Sequence, residues 1–384
     1  MPIRLIRYCR EGVRRKKKKK QKKQVMATKV PQIAILGAGI FVKNQYIPRL
    51  SEISHLFHLK AIWSRSQESA TAAVEIARKH FPGVECKWGD SGLEDIIQDG
   101  SIDAVAVVLA VQNQVDISLR VLKAGKHVLQ EKPAASCTSE LETALSSYRS
   151  ISADAPSQLI WSVAENYRFE SGLLEFKKLI GGIGKMMSVQ VIIEGSMNSS
   201  NPYFSSNWRR NFNGGFIIDM GVHYIAGLRM LVGCEVVSVS AMTSHVDLTL
   251  PPPDNISSVF HLENGCSGVF VMVVSSRTPK TLWRVVGLNG TLQVERSFQG
   301  EHGYLVSLYG ADGQNQSSFF PFSGVTEELK AFINDVSENT LKKGSQFVAE
   351  PRLSFVEGAR DVAVLEAMLE SGAKQGELVQ VKKF

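Results

Sequence analysis

The run Ala104-Val105-Ala106-Val107-Val108-Leu109 places six apolar residues in a stretch too short for a core helix, preceded directly by the polar Asp103 and followed three residues on by the polar Gln112. Such a run suits a strand covered on both faces, the situation of a parallel strand flanked by helices. Its neighbours repeat the theme. Ile33-Ala34-Ile35-Leu36 enters a turn at Gly37-Ala38-Gly39, and residues 40–50 can continue as a helix. A strand at 58–63 leads into helical periodicity over 68–80, and a helix at 115–124 precedes a strand at 127–129; residues 159–163 form the last such strand. This alternation predicts an α/β fold with a doubly wound parallel sheet over residues 30–164.

Beyond residue 165 the pattern changes. A helix at 173–180 ends at Gly181-Gly182, and strand-like segments then recur at 189–193, 236–240, 257–262, 268–274, 282–286 and 291–294 with few helices between them. Residues 165–384 therefore read as an α+β domain with a mostly antiparallel open sheet and a long helix at 353–369. Val269-Phe270-Val271-Met272-Val273-Val274 is apolar on both alternating faces. One face is expected to pack on helices and the other on a second copy, giving a homodimer or higher homo-oligomer.

The formal charge of +7 is a local effect, because residues 1–25 hold twelve Lys or Arg against one Glu, leaving −4 for the remainder. Residues 1–29 read as a basic extension without a core. A nuclear-import signal or a nucleic-acid tail is one reading of it, and a dispensable leader before Met26 is the favoured one. No apolar run approaches the roughly 20 residues of a membrane span. The five cysteines, Cys9, Cys86, Cys137, Cys234 and Cys266, have neither disulfide-framework nor zinc spacing. A reducing compartment, the cytoplasm, is the expectation, with no metal and no membrane partner.

Gly37 and Gly39 occupy two positions of a dinucleotide fingerprint, where backbone must approach a pyrophosphate and helix amides donate to it. The third position, usually Gly or Ala, is Val42. The second strand ends Trp63-Ser64-Arg65-Ser66, with no carboxylate to accept the ribose hydroxyls and an arginine able to meet a 2′-phosphate. NADP is favoured over NAD on that ground, unless Ser66 merely caps the next helix and Arg65 is solvated. Two further motifs carry chemistry. Glu131-Lys132-Pro133 closes the strand that begins near His127, which puts a lysine at the crevice of an open sheet. In Gly214-Gly215-Phe216-Ile217-Ile218-Asp219-Met220-Gly221-Val222-His223, Asp219 and His223 stand four apart and so share one face of the expected helix, where the carboxylate can orient the imidazole or hold a hydroxyl. Oxidising an alcohol needs a base beside the hydride acceptor, and Lys132 and His223 are the candidates.

These motifs resemble the Gfo/Idh/MocA oxidoreductases, NAD(P)-dependent enzymes acting largely on sugars and cyclitols, over about residues 31–372. The resemblance implies a catalytic set of Lys132, Asp219 and His223. It implies cofactor contacts from Gly37, Gly39, Ile40, Phe41, Ser64, Arg65, Leu109, Gln114, Glu131 and Lys132, and substrate contacts from Tyr167, Arg168, Trp208, Arg209, Asp219 and His223. Tyr167 is the better contact of its pair, because Arg168 can equally be an interdomain ion-pair partner. Many members carry a Thr-Pro-x-x-x-His-like turn; here Leu109, Ala110 and Gln114 stand at those positions. The implied activity is hydride transfer between nicotinamide and a sugar, cyclitol or related polyhydroxy substrate. A noncatalytic dinucleotide-binding regulator and a redox-neutral NAD-dependent glycosidase are the alternatives.

Overall fold

The computed structural model describes residues 30–155, 157–341 and 347–384; the basic extension expected at 1–29 lies outside the described residues. Six strands, β1 (Gln32–Leu36), β2 (His58–Ser64), β3 (Glu85–Trp88), β4 (Ala104–Val107), β5 (His127–Glu131) and β6 (Trp161–Ala164), form one sheet in the order β3-β2-β1-β4-β5-β6. Every pairing is parallel. The order reverses between β1 and β4, so the crevice beyond their C-terminal ends is the ligand-binding position of such a sheet. Ala104–Val107 is buried throughout, as its unbroken apolarity requires, and β5 runs two residues beyond the expected end to include Gln130 and Glu131.

The second sheet has nine strands in the order β14-β13-β12-β11-β7-β10-β9-β8-β15: β7 (Met186–Ser196), β8 (Val236–Ser244), β9 (Asn255–Leu262), β10 (Ser267–Val273), β11 (Ser275–Gly287), β12 (Gly290–Phe298), β13 (His302–Gly310), β14 (Asn315–Pro321) and β15 (Val379–Gln380). It is antiparallel except where β10 runs parallel to β7. Phe270, Met272 and Val274 are buried against helices, whereas Val269 is 37% exposed and lies beside Val259, 49% exposed, on the open face.

Two helices join the halves. Gly324–Leu341, which follows the second sheet in sequence, turns back and packs Leu329, Phe332, Ile333 and Val336 into the same core as Ile33, Ile35 and Ala104 of the first sheet. The division of the chain at residue 164 is therefore a division of sheets, not of cores. Phe355–Ala373 runs between the sheets and stacks Phe355 on Trp161 of β6, ring centroids 3.9 Å apart. Gly215–Val232 is long and apolar enough by length and composition to cross a membrane, but 89% of it is buried inside the protein, where it packs against Phe355–Ala373.

Candidate active site

A cleft of about 1180 Å³ runs from the end of β1 to the second sheet. At its cofactor end, Gly37 has φ +133°, and a Cβ there would stand 2.1 Å from the Val108 carbonyl oxygen. Only glycine fits, because β1 and β4 close on each other at that point. A Cβ on Gly39 would meet nothing within 4 Å, so its surroundings are open to a ligand approaching the backbone. The helical segment from Ile40 to Glu52 begins here, and its first amides lack intrahelical acceptors. Val42, the departure from the fingerprint, has no exposure and opens a wider π-helical stretch, Val42–Tyr46, between helix and sheet.

Ile40, Phe41, Ser64, Arg65 and Leu109 all line the cleft. Ser66 caps the helix Gln67–Ala77, its Oγ accepting from the Ser69 amide at 3.3 Å. Arg65 beside it is exposed to the cleft, and among the described residues no carboxylate pairs with it. These residues fit a dinucleotide: a glycine turn with room for a pyrophosphate, free helix amides, and an arginine where the adenosine ribose would end.

The reaction end is built by strand termini and one helix. Glu131 and Glu165 lie at the ends of the adjacent strands β5 and β6, and Lys132 follows Glu131 directly. Lys132 Nζ donates to the Asp219 carbonyl oxygen at 2.8 Å and to Asp219 Oδ1 at 3.0 Å. Arg209 Nε donates to Asp219 Oδ2 at 2.7 Å. Burial alone would raise the Asp219 carboxyl, but the two cations prevail and hold it at about 2. The Arg209 guanidinium lies over Trp208, 4.2 Å from the ring centroid, and over Tyr203 at 4.6 Å.

Asp219 and His223 share a helix face as their spacing requires, yet the carboxylate that orients the imidazole is Glu165. His223 Nδ1 stands 2.7 Å from Glu165 Oε1, which also accepts the Tyr167 amide at 3.2 Å. Glu165 is 1% exposed, and its carboxyl lies below the usual range because His223, Arg168 and Lys132 outweigh the burial that opposes them. Burial lowers His223 against the pull of Glu165. The imidazole is thereby biased toward its neutral form, and because an ionised carboxylate only accepts, the Glu165 contact places the proton on Nδ1 and leaves Nε2 to accept one. Tyr167 stacks on it, centroids 4.6 Å apart and planes at 18°. Glu131 accepts from Tyr46 Oη at 2.8 Å, and burial, opposed by Lys132, raises its carboxyl to about 7.

Two expected contacts lie elsewhere. Arg168 is 3% exposed and binds Asp361 and the Glu357 carbonyl oxygen, tying the segment after β6 to Phe355–Ala373. It does not line the cleft, so the interdomain ion-pair reading is the one its position matches. Gln114 is fully buried on the helix Val111–Lys123, outside the cleft, and neither of its amide atoms has a partner. Glu165 was the residue that motif spacing did not single out; its one signal is a carboxylate at the end of an apolar parallel strand, the same placement as Glu131.

Residues 32–151 match the model of an oxidoreductase family with an NAD-binding Rossmann fold, and residues 175–293 match the GFO/IDH/MocA C-terminal domain. The chain is 32% identical over 372 residues to Dehydrogenase FPY6 of Fusarium mangiferae, covering 91% of this chain and 99% of that protein. It belongs to the Gfo/Idh/MocA oxidoreductase family. It is accordingly an NAD(P)-binding oxidoreductase. A further relative is the scyllo-inositol 2-dehydrogenase (NADP(+)) IolW of Bacillus subtilis, 28% identical over 60% of this chain and 58% of that one. The fold matches that of the aldose-aldose oxidoreductase of Caulobacter crescentus complexed with glycerol, with a TM-score of 0.74, 22% identity, and 91% and 99% of the two chains covered.

Proposed function

We propose that this oxidoreductase transfers hydride between NADP and a secondary alcohol of a sugar, cyclitol or related polyol, with Lys132, Asp219 and His223 as its catalytic set and Glu165 as the positioning residue behind His223. The observation that carries the reading is the His223 imidazole, held at Nδ1 by Glu165, in a cleft that also contains the Lys132–Asp219 pair. A bound nicotinamide would supply the hydride acceptor. His223 Nε2 takes the hydroxyl proton, and the charge that develops on the imidazole is offset by the Glu165 carboxylate. Lys132, aimed by Asp219, donates a hydrogen bond to the substrate oxygen as it becomes a carbonyl. Arg209 holds Asp219 in place, Tyr167 fixes the His223 ring by stacking on it, and Trp208, which lines the cleft, offers an aromatic surface on which polyol C–H groups rest.

The preference for NADP rests on Arg65, the absence of a carboxylate at the end of β2, and the similarity to an NADP-named inositol dehydrogenase. The open face around Val259 and Val269 is proposed as a surface for self-association, and the unpaired cysteines Cys86, Cys137, Cys234 and Cys266 accord with a cytoplasmic site of action. The test is a screen of NADP and NAD with a panel of aldoses, inositols and alditols, following the absorbance of reduced nicotinamide. Net reduction dependent on a polyol supports the reading. Cofactor binding with no net reduction in either direction refutes it and favours a regulator; tightly bound cofactor that cycles while a glycoside is cleaved favours the redox-neutral glycosidase.

A further inference from the structure

Arg296 lies on β12, at the substrate end of the cleft and apart from the Lys132, Asp219 and His223 set. It is exposed to the cleft, and its fixed surroundings are aromatic. One edge of the guanidinium donates to Tyr167 Oη, and the group stands over the rings of Tyr167 and Phe322 at 5.7 and 5.6 Å. Tyr167 and Tyr304, 3% and 1% exposed, are locked in the core behind it. The arginine is thus aimed by Tyr167, with Tyr304 also within its hydrogen-bonding reach, and no carboxylate among the described residues forms an ion pair with it.

Charge balance distinguishes it from the other cations of the cleft. Lys132 and Arg209 share Asp219, and Arg49 pairs with Glu52. Among the described residues, Arg65 and Arg296 are the cleft cations without an ion-pair partner. Arg65 faces the cofactor end. Glu170, a buried carboxylate that feels the Arg296 charge, is hydrogen-bonded elsewhere: it accepts from the Ser323 amide at 3.0 Å and from Asn166 Nδ2 at 3.2 Å. A guanidinium that faces the cleft from an aromatic wall and has no ion-pair partner matches a planar carboxylate.

The position relative to the reaction centre follows from Tyr167. Its ring face stacks on His223 and its phenol oxygen is bound by Arg296, so one aromatic ring separates base from guanidinium. An anion held by Arg296 therefore belongs to the end of the substrate remote from the reacting carbon. Resting on the polyol reading above, we propose that the substrate is an acidic sugar, a uronate or aldonate whose carboxylate is held bidentately by Arg296 while a distant CH–OH group faces His223. A phosphate monoester fits less well, because its two negative charges would face one unpaired cation with Glu301 also lining the cleft.

Calorimetric titration of the NADP-loaded protein with D-glucuronate, D-galacturonate and D-gluconate, against D-glucose, D-galactose and glucose 6-phosphate, tests this. At least one acid should bind about 10–100-fold more tightly than its neutral counterpart, the reach of a charge-assisted bidentate pair. Arg296→Gln should abolish that difference. Arg296→Lys, which keeps the charge and loses the fork, should shrink it, and serves also if the glutamine variant does not fold. The proposal is overturned if the wild type shows no preference for any acid, if the preference survives unchanged in either folded variant, or if the 6-phosphate binds more tightly than the acids. Polyol-dependent reduction of NADP without acid preference would remove the anchor and leave the oxidoreductase reading standing; Arg296-dependent acid binding without reduction would do the reverse.

Discussion

Glu165→Gln removes one charge from the reaction centre while preserving side-chain shape. The wild-type carboxylate receives the Nδ1–H of His223 at 2.7 Å through the same oxygen that accepts the Tyr167 amide, and a glutamine carbonyl can occupy that position. What is lost is stabilisation of the imidazolium that forms as the proton is taken. A hydrogen bond to a charged group contributes roughly 1.5–3 kcal/mol, so kcat should fall by about 10–100-fold. Because Glu165 opposes the downward shift that burial imposes on His223, its neutralisation lowers the histidine further. The acid limb of kcat/KM for alcohol oxidation, already below the ordinary histidine value of 6.5, should move to lower pH. Stability should fall as well, because the attraction of His223, Arg168 and Lys132 outweighs the burial cost of this 1%-exposed carboxylate, so Tm should drop in the variant. The assay is a pH series of initial rates on the polyol found by screening, together with thermal unfolding. Turnover within twofold of wild type and an unmoved acid limb would refute the assignment of Glu165 as the orienting carboxylate.

Arg65→Glu should weaken NADP much more than NAD in fluorescence titrations, and equal losses for both would refute the 2′-phosphate assignment. Gly37→Ala should abolish dinucleotide binding and lower Tm, because a Cβ 2.1 Å from the Val108 carbonyl oxygen cannot be relieved by a rotamer change; binding at wild-type affinity would contradict the close approach of β1 and β4. The Asp219 carboxyl, lowered from 3.8 to about 2, contributes about 2 kcal/mol of stability that is present above its unfolded value and lost as pH falls through the folded one. Acid unfolding should therefore be less steep between pH 4 and 2 in Asp219→Asn, which should also be less stable at pH 7 because Lys132 and Arg209 are left without their counterion.

The parallel sheet was legible because strands covered on both faces are written as unbroken apolar runs, and Ala104–Val107 and Ile33–Leu36 are such runs. Glu131-Lys132 was legible for a related reason: polar residues directly after such a strand have the crevice as their outlet. The pairing of His223 with Glu165 was not, since it joins residues 58 positions apart on separate elements. Helical spacing reports which residues share a face, and Asp219 and His223 do, but it does not report which partner each meets across the cleft. Arg168 and Gln114 show the converse limit. Both are polar residues near functional segments, and each is turned into the interior, one to Asp361 and one to a buried position without a partner. Helix Gly324–Leu341 follows the second sheet in sequence but covers the first, a long-range return that local patterning does not encode.

Comparing kcat/KM against pH for wild type, Lys132→Met and His223→Ala, on one substrate with NADP, tests most directly whether His223 accepts the proton while Lys132, paired with Asp219, donates to the substrate oxygen. His223→Ala should lower kcat by about 10²–10⁴ and erase the acid limb, whereas Lys132→Met should lower the rate by a similar factor and leave the limb in place. An acid limb that persists in His223→Ala and disappears in Lys132→Met would make lysine the base and rule out His223 in that role.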